Sequence, residues 1–134
     1  HQCRHNLKYW NCDEYFAFGP SAYGVIGNRR YGNIRNLQKY NELLSTGILP
    51  ESEQEILSQK IKLEERIYMS LRAQGIDLPR FERDFGIDLL AKANNLIKQY
   101  HSNDVIKIDS NRLSLTESGF LLCDEIALQL IEAV

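Results

Sequence analysis

The clearest signal in the chain is an apolar rhythm near its middle. Leu89, Leu90, Ala93, Leu96, Ile97 and Tyr100 fall at helical spacing, on one face of a helix predicted over 89–101, and Asp88 stands where its N-cap belongs. A second stripe, Ile56, Leu63, Ile67 and Leu71, predicts a longer helix that runs to about Arg72 and stops at Gly75. Its expected start is Ser52-Glu53-Gln54-Glu55, a Ser-x-x-Glu arrangement in which serine oxygen and glutamate carboxylate satisfy orphan backbone donors. Between these stripes, Pro79 suits the first turn of a brief helix through Arg83, which Gly86 ends. Val105-Ile106-Lys107-Ile108 and Arg112-Leu113-Ser114-Leu115 flank Asp109-Ser110-Asn111 and read as a hairpin. Thr116 caps a last helix through about Ala133, with Phe120, Ala127, Leu130 and Ile131 inward.

The front of the chain lacks such rhythm. Gly19, Gly24, Gly27, Gly32 and Pro20 interrupt an aromatic-rich stretch, which predicts short extended pieces and loops over residues 1–35. If residues 5–10 are extended, His5, Leu7 and Tyr9 share one face and Asn6, Lys8 and Trp10 the other. Asn36 caps a short helix carrying Leu37, Tyr40 and Leu44, and Gly47 stops it. The expected fold class is mainly α with a small β-hairpin. A winged-helix-like domain over 48–134 has the order helix, short helix, helix, hairpin, helix, and an irregular extension over 1–47 precedes it.

Charge divides along the same line. Residues 1–45 carry six Lys/Arg against three Asp/Glu, and residues 46–134 carry ten against fifteen, a net of −5 for the rear. A nucleic-acid-binding module concentrates cations on its reading helix, but 89–101 offers only Lys92 and Lys98, so no nucleic-acid partner is expected. No apolar run reaches the roughly 20 residues a membrane span needs. Cys3, Cys12 and Cys123 form no CxxC pair and no zinc-type array, which favours a reducing cytoplasm. The opening His1-Gln2-Cys3 has neither an initiating Met nor a signal-peptide pattern, and reads as part of something longer.

His5 is the one strong metal-ligating residue in the polar aromatic run His5-Asn6-Leu7-Lys8-Tyr9-Trp10. On the residues alone, a lone histidine beside aromatics is most often a hydrogen-bonded structural residue. The neighbouring acids Glu64-Glu65 and Asp124-Glu125 point to different sides of their helices and do not suit paired acid/base work. Tyr68 and Met69 read as helix packing, with Met69 a weak candidate as a second iron ligand.

The HNLKYW run resembles the HNxxYW motif of the haem-chaperone branch of the oxygen-independent coproporphyrinogen III oxidase family. The resemblance continues through Tyr15-Phe16-Ala17-Phe18-Gly19-Pro20-Ser21-Ala22-Tyr23-Gly24, Arg29-Arg30 and Asn33. At the rear it covers Glu55, Leu71-Arg72, Gly75-Ile76-Asp77, Phe81 and Leu115-Thr116-Glu117-Ser118-Gly119, so it takes in most of the chain. Ala17, where the family usually has glycine, and Pro20 depart from the pattern.

The resemblance implies a C-terminal portion of a radical S-adenosylmethionine protein, with residues 1–47 following its barrel. It implies His5 as the axial ligand of a bound haem, Tyr9 and Trp10 as flat contacts to the porphyrin, and delivery of haem to an acceptor protein. In the alternative, the motif only closes the barrel, and the parent is an enzyme that oxidatively decarboxylates coproporphyrinogen III. S-adenosylmethionine and a [4Fe-4S] cluster are implied for the parent, with Gly19, Ser21 and Ala22 lining the S-adenosylmethionine pocket; a plain tight turn is the other reading of that loop. The family's CxxxCxxC triad is not in this chain, so the chain alone is expected to carry no radical chemistry. Arg29 and Arg30, with Arg35 nearby, are candidates to pair with porphyrin carboxylates, as guanidinium binds carboxylate in two-pronged geometry.

Overall fold

A computed structural model describes residues 8–134, which divide after Ser58 into two compact units. The first, Asp13–Ser58, is built on an antiparallel sheet in the order β1 (Tyr23–Ile26), β2 (Arg29–Asn33), β3 (Glu51–Ile56), with helix α1 (Leu37–Ser45) between β2 and β3. The second begins at Gln59 and also takes in the segment ending at Cys12. Its elements are α2 (Gln59–Arg72), β4 (Ile76–Asp77), α3 (Leu78–Phe85), α4 (Leu89–Lys92), α5 (Asn94–Ser102), β5 (Ile106–Asp109), β6 (Arg112–Leu115), α6 (Glu117–Phe120) and α7 (Cys123–Glu132). Two three-stranded sheets replace the expected mainly helical class with its one hairpin, and the fold is mixed α and β.

The largest departure is at residues 51–56. They form a strand, not the start of a helix, and α2 begins only at Gln59. The polar side chains that suggested a cap have partners across the sheet instead. Arg29 bonds Glu51, Arg30 lies 3.1 Å from Glu55, and the Tyr23 hydroxyl donates to Glu53 at 2.9 Å. Cross-strand pairs of this kind outweigh the low strand propensity of glutamate. Ile56, assigned to the helical stripe, is instead largely exposed, whereas Leu57 is buried and its N–H donates to the Asn28 carbonyl at 2.7 Å. Residues 48–58 therefore belong with the first unit, and the division lies after Ser58 instead of near residue 47.

A bulge refines the pairing. Gly32 faces Glu53 but Asn33 faces Glu51, which leaves Ser52 as the extra residue. The shift brings Glu51 onto the face that bears Arg29 and Tyr31. The Arg29 guanidinium lies 4.8 Å from the centroid of the Tyr31 ring on its way to Glu51. Tyr31 is buried, and its ring runs close over Gly24: a methyl group there would come within 2.6 Å of the ring.

In the second unit the apolar rhythm is realised as a core. Ile67 and Leu71 of α2, Phe81 of α3, Leu89 of α4, Ile97 and Tyr100 of α5, Leu113 of β6, and Ile126 and Leu130 of α7 are all buried together. The small sheet runs β4–β6–β5, and Ser110 and Asn111 turn the hairpin with φ of 47° and 70°, the left-handed pair that a two-residue turn demands. Asp77 accepts from the Arg80 N–H at 3.0 Å and caps α3, and Gly86 ends it in the left-handed region. Asp88 caps α4 and Thr116 caps α6, as their positions in the sequence predict. The helix expected over 89–101 is interrupted at Ala93, whose φ of −100° and ψ of 23° are not helical, and becomes α4 and α5; the one expected after Thr116 is divided at Leu121-Leu122 into α6 and α7.

Candidate functional site

The segment that carries the proposed porphyrin contacts ends in a helical turn, residues 8–10, rather than the extended piece expected. His5, and with it the candidate axial position, lies outside the described residues. Tyr9 and Trp10 follow it with 40% and 36% of their surface exposed, and the Tyr9 carbonyl accepts from the Cys12 N–H at 3.1 Å. Partly exposed aromatic rings of this kind leave flat apolar area open to a planar molecule. Among the described residues, no group of three or more His, Cys, Asp or Glu is gathered to hold a metal ion.

The glycine-bearing loop is held chiefly by the sheet unit's own polar groups. Gly19 has a φ of 97° and Ser21 one of 61°. The Gly19 N–H donates to the Tyr40 hydroxyl at 3.0 Å, Ser21 N–H to the Ile34 carbonyl at 3.2 Å, and Ala22 N–H to the Gly19 carbonyl at 3.4 Å. These backbone donors are thus spent inside the protein. The loop does not present the row of open N–H groups that a phosphate- or carboxylate-binding turn offers. What it does present is an open side at Gly19, where a Cβ would meet nothing within 4 Å.

Two residues to which the sequence assigned no role organise this loop. Asn33 is buried, and its amide donates to the Gly19 carbonyl at 3.0 Å and the Ala17 carbonyl at 3.4 Å. The Tyr31 hydroxyl accepts from the Ala17 N–H at 3.1 Å. Their signal in the sequence is their alternation, Tyr31 and Asn33 pointing to one face of β2.

The same alternation separates the two arginines offered as a carboxylate cradle. As neighbours on a strand, Arg29 and Arg30 point to opposite faces, and each already has an internal glutamate, Glu51 and Glu55 respectively. The bond to Glu51 raises the Arg29 guanidinium further above its ordinary range. Arg35 stands exposed just before α1. The three are not gathered into one basic cluster.

In the second unit the other candidates take structural positions. Met69 is half-buried in α2, Glu64 lies 3.8 Å from Lys60, and Asp124 bonds Arg72. Lys92 and Lys98 are exposed on α4 and α5. Cys123 is buried, and that burial pushes its thiol up against the opposing pull of Arg72. Such a thiol is a packing group rather than a nucleophile. Asp84 receives Arg66 at 3.2 Å, Arg80 at 3.5 Å and Arg83 at 3.6 Å, tying α2 to α3. Beside it a groove of about 670 Å³ is floored by Leu63, Phe85, Ile87 and Ile131.

With fold and loop geometry in place, the chain can be set beside known proteins. Residues 57–122 match the HemN C-terminal domain, and the chain belongs to the HemN family, of which one member's solved structure has a similar fold. That structure, the Escherichia coli coproporphyrinogen III oxidase (HemN), described as a radical SAM enzyme, superposes with a TM-score of 0.60 at 17% identity over 91% of this chain and 29% of its own, and it shows the fold. Within the family the chain sides with the haem-chaperone branch. The protein named heme chaperone HemW of Mycobacterium tuberculosis is 32% identical over 97% of this chain, and that of Bacillus subtilis 28% identical over 93%. The chain spans about a third of the length of these relatives, 32% and 33%. Among the described residues, no helix is long and apolar enough to cross a membrane.

Proposed function

We propose that this chain is the C-terminal part of a haem-binding protein that carries haem as cargo and hands it to an acceptor protein in the cytoplasm. Two features of the sequence carry the reading together. The relatives that align with more than nine-tenths of the chain are named as haem chaperones, and the chain opens with His5-Asn6-Leu7-Lys8-Tyr9-Trp10. In this reading His5 donates an imidazole lone pair to iron, Asn6 or a backbone carbonyl fixes the ring through its other nitrogen, and Tyr9 and Trp10 cover part of the porphyrin face. The partial exposure of both rings supports that role.

The first unit would follow a radical SAM barrel. S-adenosylmethionine and a [4Fe-4S] cluster would be held by that preceding part, since Cys3, Cys12 and Cys123 do not have the spacing of a three-cysteine loop. With the N–H groups of Gly19, Ser21 and Ala22 engaged internally, their contribution to an S-adenosylmethionine pocket would be limited to shape, the open side of Gly19. The second unit would act as a winged-helix-like accessory domain, and its acidic balance argues against nucleic acid as its partner.

The test is a haemin titration followed by absorption, comparing this chain with His5→Ala. Stoichiometric binding with a ligand-field spectrum that changes on removal of His5 is the expected result. Identical spectra for the two proteins would make His5 structural and move the reading to a porphyrin-oxidising enzyme.

A further inference from the structure

Helix α7 is two-sided in an uncommon way. Its inner side, Cys123, Ile126, Ala127 and Leu130, is buried in the core. Its outer side does not carry the mixed charges of an ordinary solvated face. Leu121 in the turn before it is 87% exposed and Leu128 is 50% exposed, and Asp124, Glu125 and Glu132 lie around them at steps of three and four residues. From Leu113 to Val134 there are four acids, Glu117, Asp124, Glu125 and Glu132, and no Lys, Arg or His. Arg72, reaching across from α2 to Asp124, supplies a counter-charge.

We propose that this outer face, from Leu121 to Glu132, is a docking surface for a basic amphipathic segment of a partner protein. Isolated exposed leucines are ordinary, but leucines framed by carboxylates of one sign offer two kinds of contact at once. A helix with leucines on one stripe and lysines or arginines beside it would bury the first against Leu121 and Leu128 and set the second against Glu125 and Glu132. The charge also selects among occupants. A second copy of this chain meeting it about a two-fold axis would set acid against acid, and nucleic acid or an anionic bilayer would be repelled. The inference does not depend on haem binding.

The test uses this chain and a fluorescently labelled leucine–lysine peptide of amphipathic helical pattern, read by anisotropy. Saturable binding is expected, weakened about tenfold or more by Leu121→Ser with Leu128→Ser, and separately by Glu125→Lys with Glu132→Lys. All four side chains are at the surface, so the variants should keep the native circular dichroism and melting temperature. Equal binding of a peptide of the same composition with its pattern scrambled would overturn the proposal, because charge alone would then explain capture. Unchanged affinity in both variants would also overturn it, as would self-association of the chain that Leu121→Ser abolishes, which would make the occupant a second copy.

Discussion

The two units of this chain are held together by different physics. In residues 59–134 the organising force is burial: ten of the core positions from Ile67 to Leu130 are each no more than 2% exposed, and polar bonds finish the ends of elements. In residues 13–58 the buried apolar side chains are few, Tyr31, Pro50 and Leu57, and the sheet is bound instead by a polar ladder and by the amide of Asn33. A unit of the first kind is specified by apolar spacing. One of the second kind is specified by which polar groups happen to lie opposite one another, and that is decided only when the strands meet.

The comparison is most severely tested in the core. Phe81 is 1% exposed and its ring lies 4.9 Å from that of Phe85, so Phe81→Ala should cost about 3–5 kcal/mol, read as a shift of the urea midpoint. Amide exchange should then show the loss of protection in 59–134; an equal loss in 13–58 would mean that the two units do not differ in what supports them. In the sheet unit, Gly24→Ala forces the Tyr31 ring and its bond to Ala17 to move. A smaller cost, about 1–3 kcal/mol, is expected, with faster exchange of the Ala17 and Gly19 amides. The smallest effect belongs to the exposed ion pair: Glu55→Gln should lower the melting temperature slightly at low salt and not at all at high salt, where the same salt should leave Phe81→Ala unaffected.

The same contrast explains what could be read from the sequence. Leu89 to Tyr100, the turn at Ser110-Asn111, and the caps at Asn36, Asp88 and Thr116 depend on local spacing and local hydrogen bonds, and they were legible to within a few residues. The Ser52–Glu55 stretch satisfied the helix-start pattern equally well, yet its glutamates find their partners at Tyr23 and Arg30, at least 25 residues away. Nothing in the local pattern distinguishes the two outcomes. At the site, the aromatic and glycine-rich character of residues 9–24 was evident, but the parting of Arg29 from Arg30 follows from a strand assignment that glycine-rich sequence obscured. The work of Asn33 and Tyr31 in holding the loop was hidden for the same reason.

Strand β3 stands at one margin of its sheet, and its composition has a further consequence. A marginal strand is a template on which another chain can add itself, and repeated additions grow fibrils. Here Glu51, Glu53 and Glu55 occupy every second residue, so a second β3 laid alongside in register would stack carboxylate on carboxylate. The residues that disguise this segment as a helix start also make it a poor seed for aggregation.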